Sequence, residues 1–368
     1  MLRKGDLTQG GITTTLLQFT LPMLAGSLLQ QCYNIADTLI VGQCIGANAL
    51  AAVGSAYTLM VFLISILLGL SMGSGTVFSL QYGAGDLSAL RRSIYVSLLL
   101  IGTVTILLNV AVFLWLDPIL RWLQVPYDIY PLMRNYLWII FWGIVFTFLY
   151  NFYAALLRAV GDSVTPLWFL AVSVVLNIGL DLFLILVLDQ GIEGAAVATV
   201  IAQGTAASGI LLYTYKIRPE LRLHREDMRF DRSSLREITS FSTLTCVQQS
   251  VMNFGILMVQ GLVNSFGTVV MAAFAAAVKI DSFAYMPVQE FGILFLLYGY
   301  YRAIRMPGMS VVLTILSLGT RVVLSYWLAS IPSIGVTGIW WSIPIGWFLA
   351  DLAGIAYYCY RKYAASRT

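Results

Sequence analysis

The sequence predicts an all-α, polytopic membrane protein built from two pseudo-symmetric helical bundles, of six and about four transmembrane helices. Three observations predict it: 59% hydrophobic against 10% charged residues, apolar stretches of membrane-crossing length along the whole chain, and an internal repeat. A crossing takes about 20 residues for roughly 30 Å of hydrocarbon, and a helix satisfies its own backbone there. The mean hydropathy of +0.85 lies far outside ordinary soluble domains.

Charged and Pro/Gly-rich breaks set the spans at about 15–42, 48–77, 93–116, 135–157, 164–188 and 191–215, then 239–263, 268–292, 308–331 and 335–358. The first six form one bundle (1–215), 216–238 a polar linker, and 239–368 a second, shorter bundle. Lys and Arg mark the cytoplasmic side. Arg3, Lys4, Arg91, Arg92, Arg158, the loop from Lys216 to Arg236, Arg302, Arg305, Arg361, Lys362 and Arg367 all fall on one side, and Arg121 and Arg134 on the other. Both termini and the linker are therefore expected in the cytoplasm of a cell whose plasma (inner) membrane holds the chain. The net charge of +4 needs no nucleic-acid partner. The first span reads as retained rather than as a cleaved leader. Cys32, Cys44, Cys246 and Cys359 lack metal or redox spacing and read as small packing residues.

The repeat has two offsets. Gln30, Gln31, Gly42, Ala51, Ala52 and Gly69 resemble Gln248, Gln249, Gly261, Ala272, Ala273 and Gly292, with the paired glycines 42 and 261 lying 219 residues apart. Arg158-Ala159, Pro166, Gly191-Ile192-Glu193-Gly194 and Tyr213 resemble Arg302-Ala303, Pro307, Gly335-Val336-Thr337-Gly338 and Tyr357, with Gly194 and Gly338 lying 144 residues apart. The second half is thus expected to lack 75 residues, two helices' worth, with Ile293 to Tyr301 the surviving end of a lost span.

Acids in hydrocarbon cost several kcal/mol unless paired, neutralised or wetted. Asp37, Asp181, Asp281 and Asp351 qualify. Asn177 lies on the face of Asp181, and Thr199 on the next span. Counted at about 1.5 Å per residue, Asp37, Asp181 and Thr199 fall roughly 10–12 Å from one end of their spans. Two carboxylates, an amide oxygen and a hydroxyl at one depth suit Na⁺ or a shared proton; equally, Asn177 and Thr199 suit plain helix-to-helix bonding. Lys279 and Asp281, near Pro287, are expected to face a cavity, and Arg321 could answer Asp351 or snorkel. Gly69 to Gly75 reads as a helix-packing surface. No phosphate-binding loop occurs, and no nucleophile–base–acid constellation suggests an enzyme; an ion gradient is the expected driving force.

Leu21-Pro22, Tyr33-Asn34-Ile35-Ala36-Asp37, Leu50-Ala51-Ala52-Val53-Gly54, Tyr82-Gly83-Ala84-Gly85, Leu157-Arg158-Ala159, Asn177-Ile178-Gly179-Leu180-Asp181, Gly191-Ile192-Glu193-Gly194 and Lys279-Ile280-Asp281 with Met286-Pro287 follow one another in a recognisable order. Together they resemble the multidrug and toxic compound extrusion (MATE) family. The resemblance implies a monomeric, cofactor-free antiporter of two bundles, exporting cationic or amphipathic drugs and other small molecules across the lipid bilayer in exchange for Na⁺ or H⁺. It implies a cation or proton site of Asp37, Asn177, Asp181 and Thr199 with the Ala195 carbonyl, a hinge at Pro22, and a cavity with Gln31, Tyr33, Asn34, Lys279, Asp281 and Met286 as candidate lining. The chain departs from some branches of the family by carrying Gln248 and Gln249 where they place an acid. The alternatives are a truncated, transport-inactive membrane protein and a lipid-precursor flippase-like relative; the latter would favour intramembrane arginines, of which few are present.

Overall fold

A computed structural model describes residues 12–278, 293–303 and 306–365. Among them the ordered elements are helical: α1 (Ile12–Cys44), α2 (Ala47–Gly83), α3 (Leu87–Trp122), α4 (Tyr130–Trp142), α5 (Ile144–Ala159), α6 (Val164–Leu182), α7 (Gly191–Ile217), α8 (Arg232–Asn264), α9 (Thr268–Val278), α10 (Ile293–Ala303), α11 (Pro307–Ala329) and α12 (Thr337–Ala365). Seven are long and apolar enough to cross a bilayer, and α4 with α5 makes an eighth as one bent span. The chain is a multi-pass, all-α membrane protein. α1 has the length as well, 33 residues, but carries Gln30, Gln31, Asn34 and Asp37 in its middle. The predicted span 268–292 is described only as far as Val278.

Two predicted spans need correction. The fourth, expected over 135–157, runs from Tyr130 to Ala159 and bends by 49° at Gly143. A side chain at Gly143 would meet the Ile140 carbonyl and Val200 Cγ2 at 3.0 Å and Gln203 Oε1 at 3.2 Å, so the missing Cβ lets the bend lie against α7. The third, expected over 93–116, overruns at both ends. Asp86 caps its start by accepting the Ala89 N–H at 2.9 Å, which supports an extra turn. Near its end, Trp115 leaves helical geometry (φ −110°, ψ 16°) just before Pro118, whose ring crowds the preceding turn and whose nitrogen donates nothing.

The repeat is visible in the backbone. Gly191 and Gly335 both take left-handed φ, 56° and 51°, to turn the chain into α7 and α12. A Cβ on Gly194 would crowd Leu184, and one on Gly338 would crowd Leu328, again residues 144 apart. Gly46 (φ 117°) and Gly267 (φ 90°) likewise introduce α2 and α9. α5 and α10 both end on an alanine, Ala159 and Ala303, so the 11-residue α10 matches the last part of α5.

α2 is the axis of the packing: α3, α4 and α5 lie against it from its own half, and α8 from the other. A methyl group on Gly69 would overlap Cys246 Cα and one on Gly73 would overlap Ser242 Cα, which is the helix-packing surface expected of this glycine cluster. Ser242 Oγ lies 3.3 Å from Ser74 Oγ and donates to the Leu70 carbonyl at 3.1 Å. The small residues bring the backbones together and the hydroxyls bond across the contact. Cys32, Cys44 and Cys359 are exposed, contrary to the packing role expected of them: their helix faces point outward.

The turn between α5 and α6 is tied to the end of α7. Asp162 accepts the Thr165 N–H at 3.0 Å and the Thr165 hydroxyl at 2.8 Å, and pairs with Arg218 at 2.9 Å. Burial alone would raise the Asp162 pKa, but the Thr165 N–H, the Arg218 guanidinium and the Thr165 hydroxyl outweigh it and hold the carboxyl below its ordinary range.

Gly73→Val should separate α2 from α8, costing about 1–3 kcal/mol by overpacking and lowering the Tm read by a thiol-reactive dye in detergent. Gly83→Ala, which meets nothing within 4 Å, should leave it unchanged. Asp162→Asn should cost about 1.5–3 kcal/mol at neutral pH. Because the folded-state pKa is depressed, this stability is present above the unfolded value of about 4 and is lost as pH falls through the folded one; a Tm-versus-pH series should show wild type and variant converging there.

Candidate functional site

Four helices converge on one buried polar cluster. α1 brings Tyr33 and Asp37, one turn apart; α6 brings Asn177 and Asp181, also one turn apart; α7 brings Ala195 and Thr199; α4 brings Tyr136. Asn177 is 2% exposed and Asp181 0%, so the charge on Asp181 has no direct access to water. The Asn177 amide lies between its neighbours in the orientation that satisfies both its ends: Nδ2 donates to Asp181 Oδ2 at 2.9 Å and Oδ1 accepts the Thr199 N–H at 3.1 Å. Thr199 Oγ1 donates to the Ala195 carbonyl at 3.0 Å. With that proton committed, Tyr33 is the donor in its 3.5 Å contact with Thr199 Oγ1.

Asp37 and Asp181 repel each other across the cluster, and both act on Tyr33 and Tyr136. The second oxygen of Asp181, Oδ1, is buried without a hydrogen-bond partner among the described residues. A buried carboxylate oxygen left unmet is costly, and two carboxylates in one dry site cannot comfortably both be charged. A shared proton or a small hard cation relieves both problems. The donor set, two carboxylates with amide, hydroxyl and carbonyl oxygens, fits Na⁺ chemistry; the Ala195 carbonyl already receives the Thr199 hydroxyl. Directly after Asp181, α6 widens into a π turn over Phe183–Val187, the kind of irregularity that often accompanies functional positions.

The residues placed at one depth by counting are thus brought together. Asn34, expected in a cavity, donates to Gln31 Oε1 at 3.1 Å and also bonds Tyr57 of α2, while Tyr33 belongs to the cluster itself. α1 passes through Pro22 as continuous helix. Lys279, Asp281 and Met286 lie outside the described residues. No ion pair joins Arg321 to Asp351 among the described residues; Arg321 packs its Cβ against Gly346 instead. Tyr136 was not foreseen. It sits in an aromatic-rich helix where a phenol looks like core, and only the bend at Gly143 and the packing of α4 bring it to the acids.

The repeat carries the cluster into the second half in altered form. At the 144-residue offset, Asn177 becomes Arg321, Asp181 becomes Ser325 and Ala195 becomes Ile339. Ser325 Oγ lies 2.7 Å from Ser342 Oγ, which donates to the Ile339 carbonyl. Thr199 itself becomes Ile343, and the hydroxyl comes instead from Ser342, the counterpart of Ala198, so the second half has a hydroxyl on the helix carbonyl but neither the threonine nor the acid.

The MatE family model matches residues 22–183, which contain Asp37, Asn177 and Asp181. The chain is 34% identical over 287 residues to the probable multidrug resistance protein YpnP of Bacillus subtilis (strain 168), covering 78% of this chain and 64% of that protein. Along these matches the chain resembles the MATE family. It is also similar to the multidrug export protein MepA of Staphylococcus aureus (strain NCTC 8325 / PS 47), at 27% identity over 73% of this chain and 59% of that one. In fold it matches an inward-facing multidrug resistance MATE family transporter of the MOP superfamily, with a TM-score of 0.78, 19% identity and coverage of 94% of this chain and 99% of the other. A MOP superfamily transporter from Pyrococcus furiosus, described as having a binding pocket of reverse polarity, matches with a TM-score of 0.79 at 18% identity, covering the whole of both chains. The chain spans less than two thirds of the length of the curated relatives it matches.

If Asp181 is held at a cost, Asp181→Asn should raise the Tm of the purified protein in Na⁺-free buffer, on the order of 2 °C per kcal/mol relieved. Asn177→Ala, which strips Asp181 of its remaining donor, should lower it.

Proposed function

We propose that this protein is a secondary antiporter that exports cationic or amphipathic compounds in exchange for Na⁺ or H⁺, with Asp37 and Asp181 as the coupling pair. The observation that carries this reading is the buried, repelling carboxylate pair with an unmet oxygen. Such a pair has two states of different charge, and helices α1, α4, α6 and α7 must repack slightly between them. Occupancy by a cation or proton draws Asp37 of α1 toward Asp181 of α6; loss of it drives them apart. Pro22 offers the place where α1 can bend in response. Ion binding on one side of the membrane then biases which side the substrate path faces, which is coupling by differential affinity for two conformations. The names of the relatives, multidrug resistance and multidrug export proteins, support the substrate class. The positive-inside pattern supports a plasma-membrane chain with both ends in the cytoplasm. No catalytic residue or bound cofactor is needed for this cycle, and a single chain contains the whole coupling pair.

The gap between the two repeat offsets supports a second half shortened by two helices. With Arg321 and Ser325 where the first half has Asn177 and Asp181, coupling rests on the first half alone.

The test is dye accumulation in efflux-deficient cells. Wild type should lower accumulation of a cationic dye, and Asp37→Asn should restore it to the level of empty cells, at equal membrane expression. Equal accumulation in all three would mean a transport-inactive chain. To separate the ions, Na⁺ titrated into purified protein at fixed pH should raise the Tm by the mass-action law if Na⁺ is the partner, and the rise should vanish in Asp37→Asn. A Tm indifferent to Na⁺ but dependent on pH in wild type only would assign the site to protons.

A further inference from the structure

At the end of α8 nearest α9, a second buried polar group crosses between the halves. Asn264 Nδ2 donates to the Leu123 carbonyl at 2.7 Å and to Ser55 Oγ at 3.1 Å, while Asn264 Oδ1 accepts from Gln260 Nε2 at 2.8 Å. Thr58 Oγ1 closes the chain onto Gln260 Oε1 at 3.3 Å. One step further out, Thr268 Oγ1 donates to Asp128 Oδ2 at 2.7 Å. Ser55 and Thr58 belong to α2, Leu123 ends α3 and Asp128 follows it, whereas Gln260, Asn264 and Thr268 all belong to the second half. Asn264 and Ser55 are each 1% exposed and Gln260 5%.

The repeat shows that this polarity is not required by packing. At the 219-residue offset, Gln260 and Asn264 correspond to Val41 and Ile45, apolar residues packed into the core of the first half. Asn264 also satisfies the Leu123 carbonyl, which ends α3 and has no later helical turn to bond. An apolar contact that parts toward water exposes hydrocarbon. Side-chain amides and hydroxyls that part exchange their bonds for bonds to water at a small net change. The other end of the same helix pair is built differently, with Gly69 and Gly73 of α2 in direct backbone contact with α8.

We propose that Gln260 and Asn264, with Ser55, Thr58 and the Leu123 carbonyl, form a hydratable latch: it seals the seam between the two halves at the α8–α9 end and releases when they separate there. This gives the transport reading above a gate, and the test is chosen to stand apart from transport.

A chain with Cys32, Cys44, Cys246 and Cys359 replaced by serine receives a single reporter cysteine. Met271→Cys, buried in α9 at the latch end, reports opening there; Val77→Cys, buried against Val96 and Ile238 at the far end of α2, reports the other end. The rate of labelling by a maleimide is measured on purified protein. Asn264→Leu should raise labelling of Met271→Cys about tenfold and leave Val77→Cys unchanged or slower. Gln260→Leu, which keeps the Asn264 bond to Leu123, should raise it by a smaller factor and serves where Asn264→Leu does not fold. No change at Met271→Cys, or an equal rise at both reporters, would overturn the latch. Neither result depends on export, so a chain that exports no dye could still show the latch.

Discussion

The fold turns on where two carboxylates are put. Asp37 and Asp181 occupy the interior of a helix bundle in a chain with few charged residues, and no ion pair reaches Asp181 among the described residues. Their surroundings follow from that constraint. Asn177 must lie one turn before Asp181 to reach one of its oxygens, Thr199 must give its own proton to Ala195 so that it can receive one from Tyr33, and α4 must bend for Tyr136 to join. Each of these gives one hydrogen bond or one contact, and together they still leave Asp181 Oδ1 unmet. A structure selected for stability alone would replace the acid; a structure that must sense a cation or proton cannot.

Much of this was legible in the sequence because the signals are local. An acid inside an apolar run is conspicuous, and counting residues from a span end fixes its depth, so Asp37, Asp181 and Thr199 could be matched before any packing was known. The glycine pairs 191/335 and 194/338 were legible for a similar reason: a left-handed turn and a close approach tolerate little else. The illegible parts are those in which tertiary contact decides. The bend at Gly143 depends on Val200 and Gln203 of another helix. Tyr136 and Tyr57 read as aromatic core until α4 and α2 are placed beside α1. Gln260 and Asn264 look like ordinary polar residues of α8, and only the Leu123 carbonyl and Ser55 across the seam give them a role.

The two halves use the same backbone plan for different chemistry. Around the equivalent of the carboxylate cluster, the second half has a hydroxyl bonded to a helix carbonyl, Ser342 to Ile339, but carries Ser325 in place of the acid and a permanent positive charge at Arg321. Conversely, where α8 carries Gln260 and Asn264, the first half has Val41 in α1 and Ile45 just after it. A duplicated scaffold with both chemistries in both halves would bind two ions and seal two seams. Here each half keeps one of the two.

That division bears on the shortened second half. The Asp37–Asp181 pair proposed for coupling lies among α1, α4, α6 and α7, none of which would be touched by a loss of residues ahead of α10. The contacts between halves rest on α2 with α8, on Asn264 with Ser55 and Leu123, and on Thr268 with Asp128, and these also lie outside such a stretch. What such a loss would remove is wall: α10 has 11 residues and packs on α11 and α12, making a small core of Leu294, Tyr298, Tyr301, Leu313 and Ala350. On the reading proposed above, ion sensing and the seam between halves can therefore persist in a chain of this length. Enclosure of the substrate path is the property placed at risk, since a missing wall changes what the cavity holds without changing what the carboxylates bind.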